Sequence, residues 1–184
     1  NSWQNGGEME TNGLEFALGL NPTSLLDLGG LDWNMHMTYY TNESEVTKLT
    51  VDPYNYGGFA TFLGTYRIEE GVSPTAIVGA DYDADGNHIE LGNENPDFRL
   101  SFRNSLSFGP LSLSFLIDHK EGGHAINLAN LIYDLGATTA DYEENGSRTA
   151  VLGGGSTAPY VESTTYTALR DLSLTYLFPA DLTE

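Results

Sequence analysis

The feature that most constrains this chain is a set of strand-length segments in which every second residue is apolar. Leu14, Phe16, Leu18 and Leu20 alternate with Glu15, Ala17, Gly19 and Asn21. Leu31, Trp33, Met35, Met37 and Tyr39 alternate with Asp32, Asn34, His36 and Thr38. The same rule governs Phe98, Leu100, Phe102, Leu106 and Phe108, then Leu111, Leu113, Phe115 and Ile117, and finally Leu172, Leu174, Tyr176 and Phe178. A period of two means β-strands with one greasy and one wet face. Strands of about ten residues with aromatics near their ends also satisfy what a membrane-spanning barrel requires. The choice lies between a soluble β-sandwich and a membrane barrel.

Composition narrows the functions. With 26 acidic against 7 basic residues, the net charge of -19 argues against nucleic acid as a partner. Cysteine is absent, which removes disulfides and thiolate chemistry. At 184 residues the chain is expected to form one domain. The acidic residues gather in the irregular stretches 42–97 and 134–162 rather than in the alternating segments. No run of roughly eighteen apolar residues occurs, so no transmembrane helix is expected, and barrel strands never produce such a run. No signal-peptide pattern opens the sequence. Residues 1–12 read as the middle of a loop and 179–184 as the middle of a turn, so the chain is expected to be a piece of a longer one.

The order of connections is the second clue. Five long strands are predicted, over about 13–25, 31–47, 97–108, 111–120 and 160–178. The connections between them run short, long, short, long, as in outer-membrane barrels with short inner turns and long outer loops. Trp33, Phe108, Tyr176 and Phe178 lie beside the short turns, while Tyr39, Tyr40, Phe98 and Tyr166 lie toward the long loops. Ordinary cross-strand aromatic pairing over a core would place them similarly. In the first long loop, 59–67 and 75–80 have strand-like composition and predict a hairpin. In the second, apolar spacing predicts a short helix over 124–135, stopped by Gly136. The stretch 151–159, with Gly153, Gly154 and Gly155, reads as a loop tip. On the predicted polar faces lie Glu15, Asp32, Arg99, Arg103, Asp118 and Asp171. Arg170 falls in register with Leu172 and Leu174, where a cation at mid-bilayer would cost ~2–4 kcal/mol. A bulge near 168–171, or a position above the bilayer, would relieve it.

Little in the sequence suggests catalysis. Asp81, Asp83, Asp85 and Gly86 match the opening of a calcium loop, but its twelfth position is Gly92, without the bidentate Glu. An Asp-Gly hairpin turn explains the same residues. Calcium is the only cofactor the residues suggest, and it is not the favoured reading. His36, His88, His119 and His124 have no ligand-like spacing, and no nucleophile elbow or phosphate-binding loop occurs. No enzymatic activity is expected.

Several segments together carry a family resemblance. Gly92-Asn93-Glu94-Asn95-Pro96-Asp97-Phe98, with the strand 104–108 and Leu111–Phe115 after it, resembles the GNPNPDF segment of SusC-like TonB-dependent receptors and the strand pair that follows it. Tyr160-Val161-Glu162, Tyr166, Leu169–Tyr176 and Phe178-Pro179 resemble that family's YVEDGSYLKLRELSLSYNFP segment. Gly7–Glu15 resembles its GEMxNKGFE strand start, and Asn127-Leu128 its later loop. These matches run in the family's order across nearly the whole chain. The sequence departs from the pattern at Gly109-Pro110-Leu111, where Lys-Gly-Phe is usual, and at Ser112, usually Asp.

The resemblance implies an all-β fold, with residues 1–184 a late segment of an antiparallel transmembrane β-barrel of about 22 strands with a plugged lumen. Neither plug, TonB box nor closing strands are in this sequence, so the remainder of the barrel is an implied partner. Other implied partners are outer-membrane lipid, a SusD-like surface lipoprotein, and the TonB–ExbB–ExbD complex acting through the plug. The implied role is nutrient import, of oligosaccharide or peptide, across the outer membrane of a Gram-negative bacterium. The loop aromatics Tyr54, Tyr56, Phe59, Tyr66, Tyr133 and Tyr142 are candidate stacking contacts for substrate, against the plain alternative of loop packing. Two other readings stay open. One is a secreted β-sandwich that binds carbohydrate and buries its apolar faces against each other. The other is a surface or adhesion barrel that transports nothing.

Overall fold

The computed structural model describes residues 5–152 and 155–179. In chain order the strands are β1 (Gly7–Leu20), β2 (Leu31–Leu49), β3 (Tyr54–Tyr56), β4 (Thr65–Ile68), β5 (Ala76–Tyr82), β6 (His88–Asn93), β7 (Pro96–Phe108), β8 (Leu111–Gly122), β9 (His124–Ile126), β10 (Val161–Ser163) and β11 (Tyr166–Tyr176). Three short helices, α1 (Leu128–Leu135), α2 (Ala140–Glu143) and α3 (Ser147–Leu152), fall in the second long connection. The chain is thus all-β in character, as expected. It divides into two compact units. A sheet unit comprises Gly13–Thr41, Asp97–Glu121 and Thr165–Glu184, and a loop unit comprises Asn1–Asn12, Asn42–Pro96 and Gly122–Thr164.

The sheet unit is built on one five-stranded sheet in the order β1-β2-β7-β8-β11. Four follow the expected strands closely, with β1 beginning at Gly7 inside the stretch expected to be a loop and ending by Leu20. The fifth, expected over 160–178, starts only at Tyr166, because Tyr160 ends a 3₁₀ turn and Val161–Ser163 pair with β9 instead. Residues 1–4 and 180–184 of the expected terminal loop and turn lie outside the described residues. Strands β2 and β7 pair antiparallel from Leu31↔Phe108 to Tyr40↔Arg99 without a shift, so their apolar rows stay on one face. The hairpin between β7 and β8 turns at Gly109, whose φ of 55° favours glycine.

Among the described residues, no apolar side chain of this unit is buried. Leu14, Phe16, Leu18 and Leu20 on one edge strand are exposed, as are Leu169, Leu172, Leu174 and Tyr176 on the other. The single buried side chain described is Asn104, 2% exposed, whose Oδ1 accepts a 3.1 Å hydrogen bond from Trp33 Nε1. A sandwich would bury its apolar face against a second sheet. Here that face has no core behind it.

Arg170 is accommodated by the expected bulge. The pairing of β8 and β11 shifts between Leu169 and Asp171, leaving Arg170 as the extra residue. The shift places Leu169, Leu172, Leu174 and Tyr176 opposite Ile117, Phe115, Leu113 and Leu111 in one apolar row. Arg170 instead meets Asp118, with Nε 3.2 Å from Oδ2, and its guanidinium lies 5.0 Å from the Tyr166 ring centroid. The Tyr166 hydroxyl donates to the same carboxylate at 2.8 Å.

In the loop unit the first excursion forms a four-stranded sheet, β3-β4-β5-β6. The expected hairpin is its β4–β5 pair, with Thr65↔Val78 and Tyr66↔Ile77. Residues Thr61–Leu63 form a 3₁₀ turn, so the first of these strands starts later than composition suggests. In the second excursion the helix begins at Leu128, not at 124. Asn127 caps it, its Oδ1 accepting from Asn130 N at 3.0 Å, and His124–Ile126 pair with β10 instead. Gly136 ends α1 in a right-handed conformation, and the left-handed residue is Ala137, with φ 55°. Of the expected loop tip, Gly153 and Gly154 lie outside the described residues.

The described buried apolar side chains all belong to this unit: Val46, Ala76, Ile77, Val78, Leu131 and Tyr160. Beside them lies Asp134, fully buried. Its carboxylate accepts from Arg148 Nε at 2.9 Å, from the Tyr160 hydroxyl at 2.9 Å and from the Thr139 hydroxyl. The Arg148 bond, then those from Thr139 and Tyr160, hold the Asp134 carboxyl down to about 2 against the cost of burial. Burial and the same carboxylate push the Tyr160 phenol up to about 12. Because the folded Asp134 value lies below the unfolded one, the stabilisation is present above about pH 4 and is lost as pH falls toward 2. Amide protection relative to the unfolded chain should therefore fall across 124–152 and 155–163 between pH 4 and 2. Asp134→Ala should produce the same loosening at neutral pH, costing roughly 3 kcal/mol by stranding Arg148 and Tyr160.

Candidate functional site

The two excursions, separated in sequence by β7 and β8, meet inside the loop unit through three glycines. A Cβ on Gly64 would lie 2.3 Å from Ile126 Cδ1, one on Gly79 would lie 2.3 Å from Thr157 Cβ, and one on Gly92 would lie 2.7 Å from His124 Cγ. Each is a place where a side chain of the second excursion sits directly on backbone of the first. Gly64 has a second reason, a φ of 89°. At Gly79 the contact is extended by hydrogen bonds. The Thr157 hydroxyl donates to the Phe62 carbonyl at 3.0 Å and accepts from Ala80 N at 2.9 Å.

Between these contacts opens a cleft of ≈ 280 Å³. Phe59, Leu63 and Tyr66 line it from the first excursion, and His124, Ile126 and Leu128 from the second. Its walls are mainly apolar, and its one carboxylate is Glu94. The nearby Glu94 carboxylate, together with burial, raises the Tyr66 phenol to about 12. Phe59, 84% exposed, stands at the rim.

Two of the six candidate aromatics, Phe59 and Tyr66, therefore share one site. Tyr56 is tied to it by packing, its ring centroid 5.4 Å from that of Tyr66 and its hydroxyl donating to the Pro74 carbonyl at 2.7 Å. Tyr54 is exposed on β3, Tyr133 on α1 and Tyr142 on α2, and none of these three lines the cleft. Sequence reasoning misses Glu94, His124 and Ile126 as members of a site. The signal that could find them is the pair Gly64 and Gly92, glycines inside strand-like segments, which mark close approach of another element.

Asp81, Asp83 and Asp85 do not converge. Asp81 Oδ2 accepts from Thr157 N at 2.8 Å and Ala158 N at 3.2 Å, and its Oδ1 from the Ser156 hydroxyl at 2.5 Å. Asp83 closes the β5–β6 hairpin, accepting from Asn87 N at 2.8 Å and Asp85 N at 2.9 Å, and the Asn87 bonds hold its carboxyl below the usual range. The Asp-Gly turn is what forms here, with Gly86 at φ 86°. Among the described residues, no three His, Cys, Asp or Glu side chains are grouped to hold a metal ion.

No protein-family model matches the chain, and no curated protein matches it. Among solved structures it is similar to one described as the RagAB peptide importer in the 'closed-closed' state, with a TM-score of 0.61 and 19% sequence identity. The match covers 98% of this chain and 24% of that one, so this chain spans about a quarter of its length. The likeness is one of fold.

Because Gly64 carries both a left-handed backbone and the Ile126 contact, Gly64→Ala should strain the wall of the cleft. An overpacking cost of roughly 1–3 kcal/mol is expected. Hydrogen exchange should rise at 124–126 and 61–66 together, while β8 and β11 stay protected.

Proposed function

We propose that this chain is a stretch of wall and surface loops from a SusC-like TonB-dependent outer-membrane transporter, an importer of peptide or oligosaccharide. The observation that carries the proposal is the contrast between the two units. The loop unit has a core of its own, whereas the sheet has a continuous apolar face with none. Apolar surface of that extent is unfavourable in water and favourable against acyl chains. On β1 the row Leu20, Leu18, Phe16 and Leu14 continues past Gly13 as Asn12, Glu10 and Glu8. On β2 the row continues past Tyr39 as Thr41, Glu43 and Glu45. Such a switch from greasy to charged on one face marks a bilayer boundary.

In this reading β1 and β11 pair with further strands of the same barrel, since open edges are not tolerated in lipid. The opposite face lines the lumen. It is paved with short polar contacts, including Thr38–Ser101 at 2.5 Å, Ser107–Ser112 at 3.0 Å and Asn21–Asn34 at 2.9 Å. A plug domain would pack there and transmit energy from TonB–ExbB–ExbD, and the loop unit would face the outside and a SusD-like lipoprotein. The likeness to the peptide importer supports import over a display role.

The reading is tested first by fractionation and mass. A band near roughly 100 kDa, the expected order for about 22 strands plus plug, should appear in the detergent-extracted outer membrane. Uptake of a labelled nutrient should stop when TonB is deleted; uptake that continues would overturn energised import. The face assignment has its own test. Leu172→Arg, mid-strand on the apolar row, should cost ~2–4 kcal/mol and reduce assembled protein in the outer membrane, while Ser173→Arg on the opposite face should be tolerated. If both assemble equally, the apolar face does not meet lipid.

A further inference from the structure

The charge of the loop unit is one-sided in a way that bears on the cleft. Seventeen of the chain's 26 acidic residues lie in it, against three of the seven basic ones. All three basic residues already face carboxylates: Lys48 meets Glu8 at 2.9 Å, Arg67 meets Glu69 at 2.6 Å and Arg148 meets Asp134 at 2.9 Å. No Lys or Arg of the unit is left to answer a negatively charged ligand. The field over its surface attracts positive charge and repels anions.

The cleft repeats that bias at close range. Its apolar walls, Leu63, Ile126 and Leu128, with Phe59 at the rim, suit one aliphatic or aromatic side chain. Its carboxylate, Glu94, lines the cleft beside Tyr66 and pairs with no Lys or Arg of the unit. A carboxylate offers about four lone-pair sites, so most of its capacity is open to an ammonium or guanidinium. At ≈ 280 Å³ the cleft falls just under the volume range of drug-sized sites. It matches a side chain rather than a whole oligomer.

We infer that this cleft binds a short cationic peptide segment, seating an apolar side chain between Phe59 and Ile126 while a neighbouring Lys, Arg or α-amino group pairs with Glu94. The inference rests on the importer reading and narrows its substrate class from peptide or oligosaccharide to basic peptides. Sugars would satisfy the stacking surface but leave the unit's charge without purpose.

The test uses the full-length protein purified from its membrane in detergent, with fluorescein-labelled hexapeptides read by anisotropy. One carries a central Phe-Lys pair, the second Phe-Glu and the third Gly-Lys. The Phe-Lys peptide should bind about tenfold tighter than the Phe-Glu peptide, the scale of a charge-assisted hydrogen bond. Glu94→Gln removes the charge at nearly the same size and should bring those two peptides close together. Phe59→Ala, at an exposed position that should leave the fold intact, should erase the preference of Phe-Lys over Gly-Lys. Equal binding of Phe-Glu, or preferences unchanged in both variants, would overturn the inference. Binding that appears only after a co-purifying lipoprotein is stripped away would also overturn it, assigning the cleft to that partner. Failure of the importer reading looks different: peptide discrimination would persist in detergent while TonB-dependent uptake was absent.

Discussion

The structure depends on one physical fact: a five-stranded sheet presents a continuous apolar face that the described residues do not bury. Burying apolar surface is the dominant favourable term in folding. A sheet that leaves this face bare must find cover in another medium or another chain. The edges reinforce the point. β1 and β11 each present an unpaired ladder along an exposed apolar row, a template for further strands. Both demands would be met together by the closed barrel in lipid that we propose.

That constraint explains where polar residues are allowed. Across β2 and β7 the alternation holds from Leu31↔Phe108 to Tyr40↔Arg99, and the one departure on the apolar row, Asn104, is covered by Trp33 and bonded to its indole. Arg170 would break the row on β11, and the bulge removes it to a carboxylate and an aromatic ring. Arg170 is given specific partners, and Asn104 is partnered at Oδ1 while its buried Nδ2 has no hydrogen bond; an unpartnered polar group costs several kcal/mol in hydrocarbon. The bulge is therefore a requirement of the face rather than an irregularity of the strand.

The strands are legible in the sequence because their signal is local and redundant: several alternations each, bounded by turn residues. Even the Arg170 bulge is legible as one of two reliefs, since a cation in register with the apolar row calls for a bulge or for a place above the bilayer. The loops are only partly legible. Helical spacing over 124–135 is real, but His124–Ile126 satisfy their backbone against β10, a segment far downstream. Gly136 has the chemistry of a stop, yet Ala137 takes the left-handed position. Above all, the merging of two excursions into one body is invisible to periodicity. It depends on Gly64, Gly79 and Gly92 having no side chain. Absence of a side chain is a weak signal until the element that fills the space is known. Of the candidate aromatics, Phe59 and Tyr66 come together, while Tyr133 and Tyr142 do not, because aromatic identity says nothing about which loop faces which.

The division of labour between the two units follows from the same chemistry. On the proposed reading, a wall in contact with lipid on one face would have little freedom to vary, its apolar row fixed by the bilayer and its cations hidden. The loop unit faces no such demand. It carries its own core, ties its three basic residues to carboxylates, and closes its second excursion with a buried Asp134 that holds Arg148, Tyr160 and Thr139 at once. Asp81 and Asp83 add further ties between its segments, and exposed aromatics such as Phe59 are not needed to hold it together. Surface that the fold does not require is where recognition can be placed. That argues for reading the specificity of this protein from its loops, and from the cleft they jointly form, rather than from its strands.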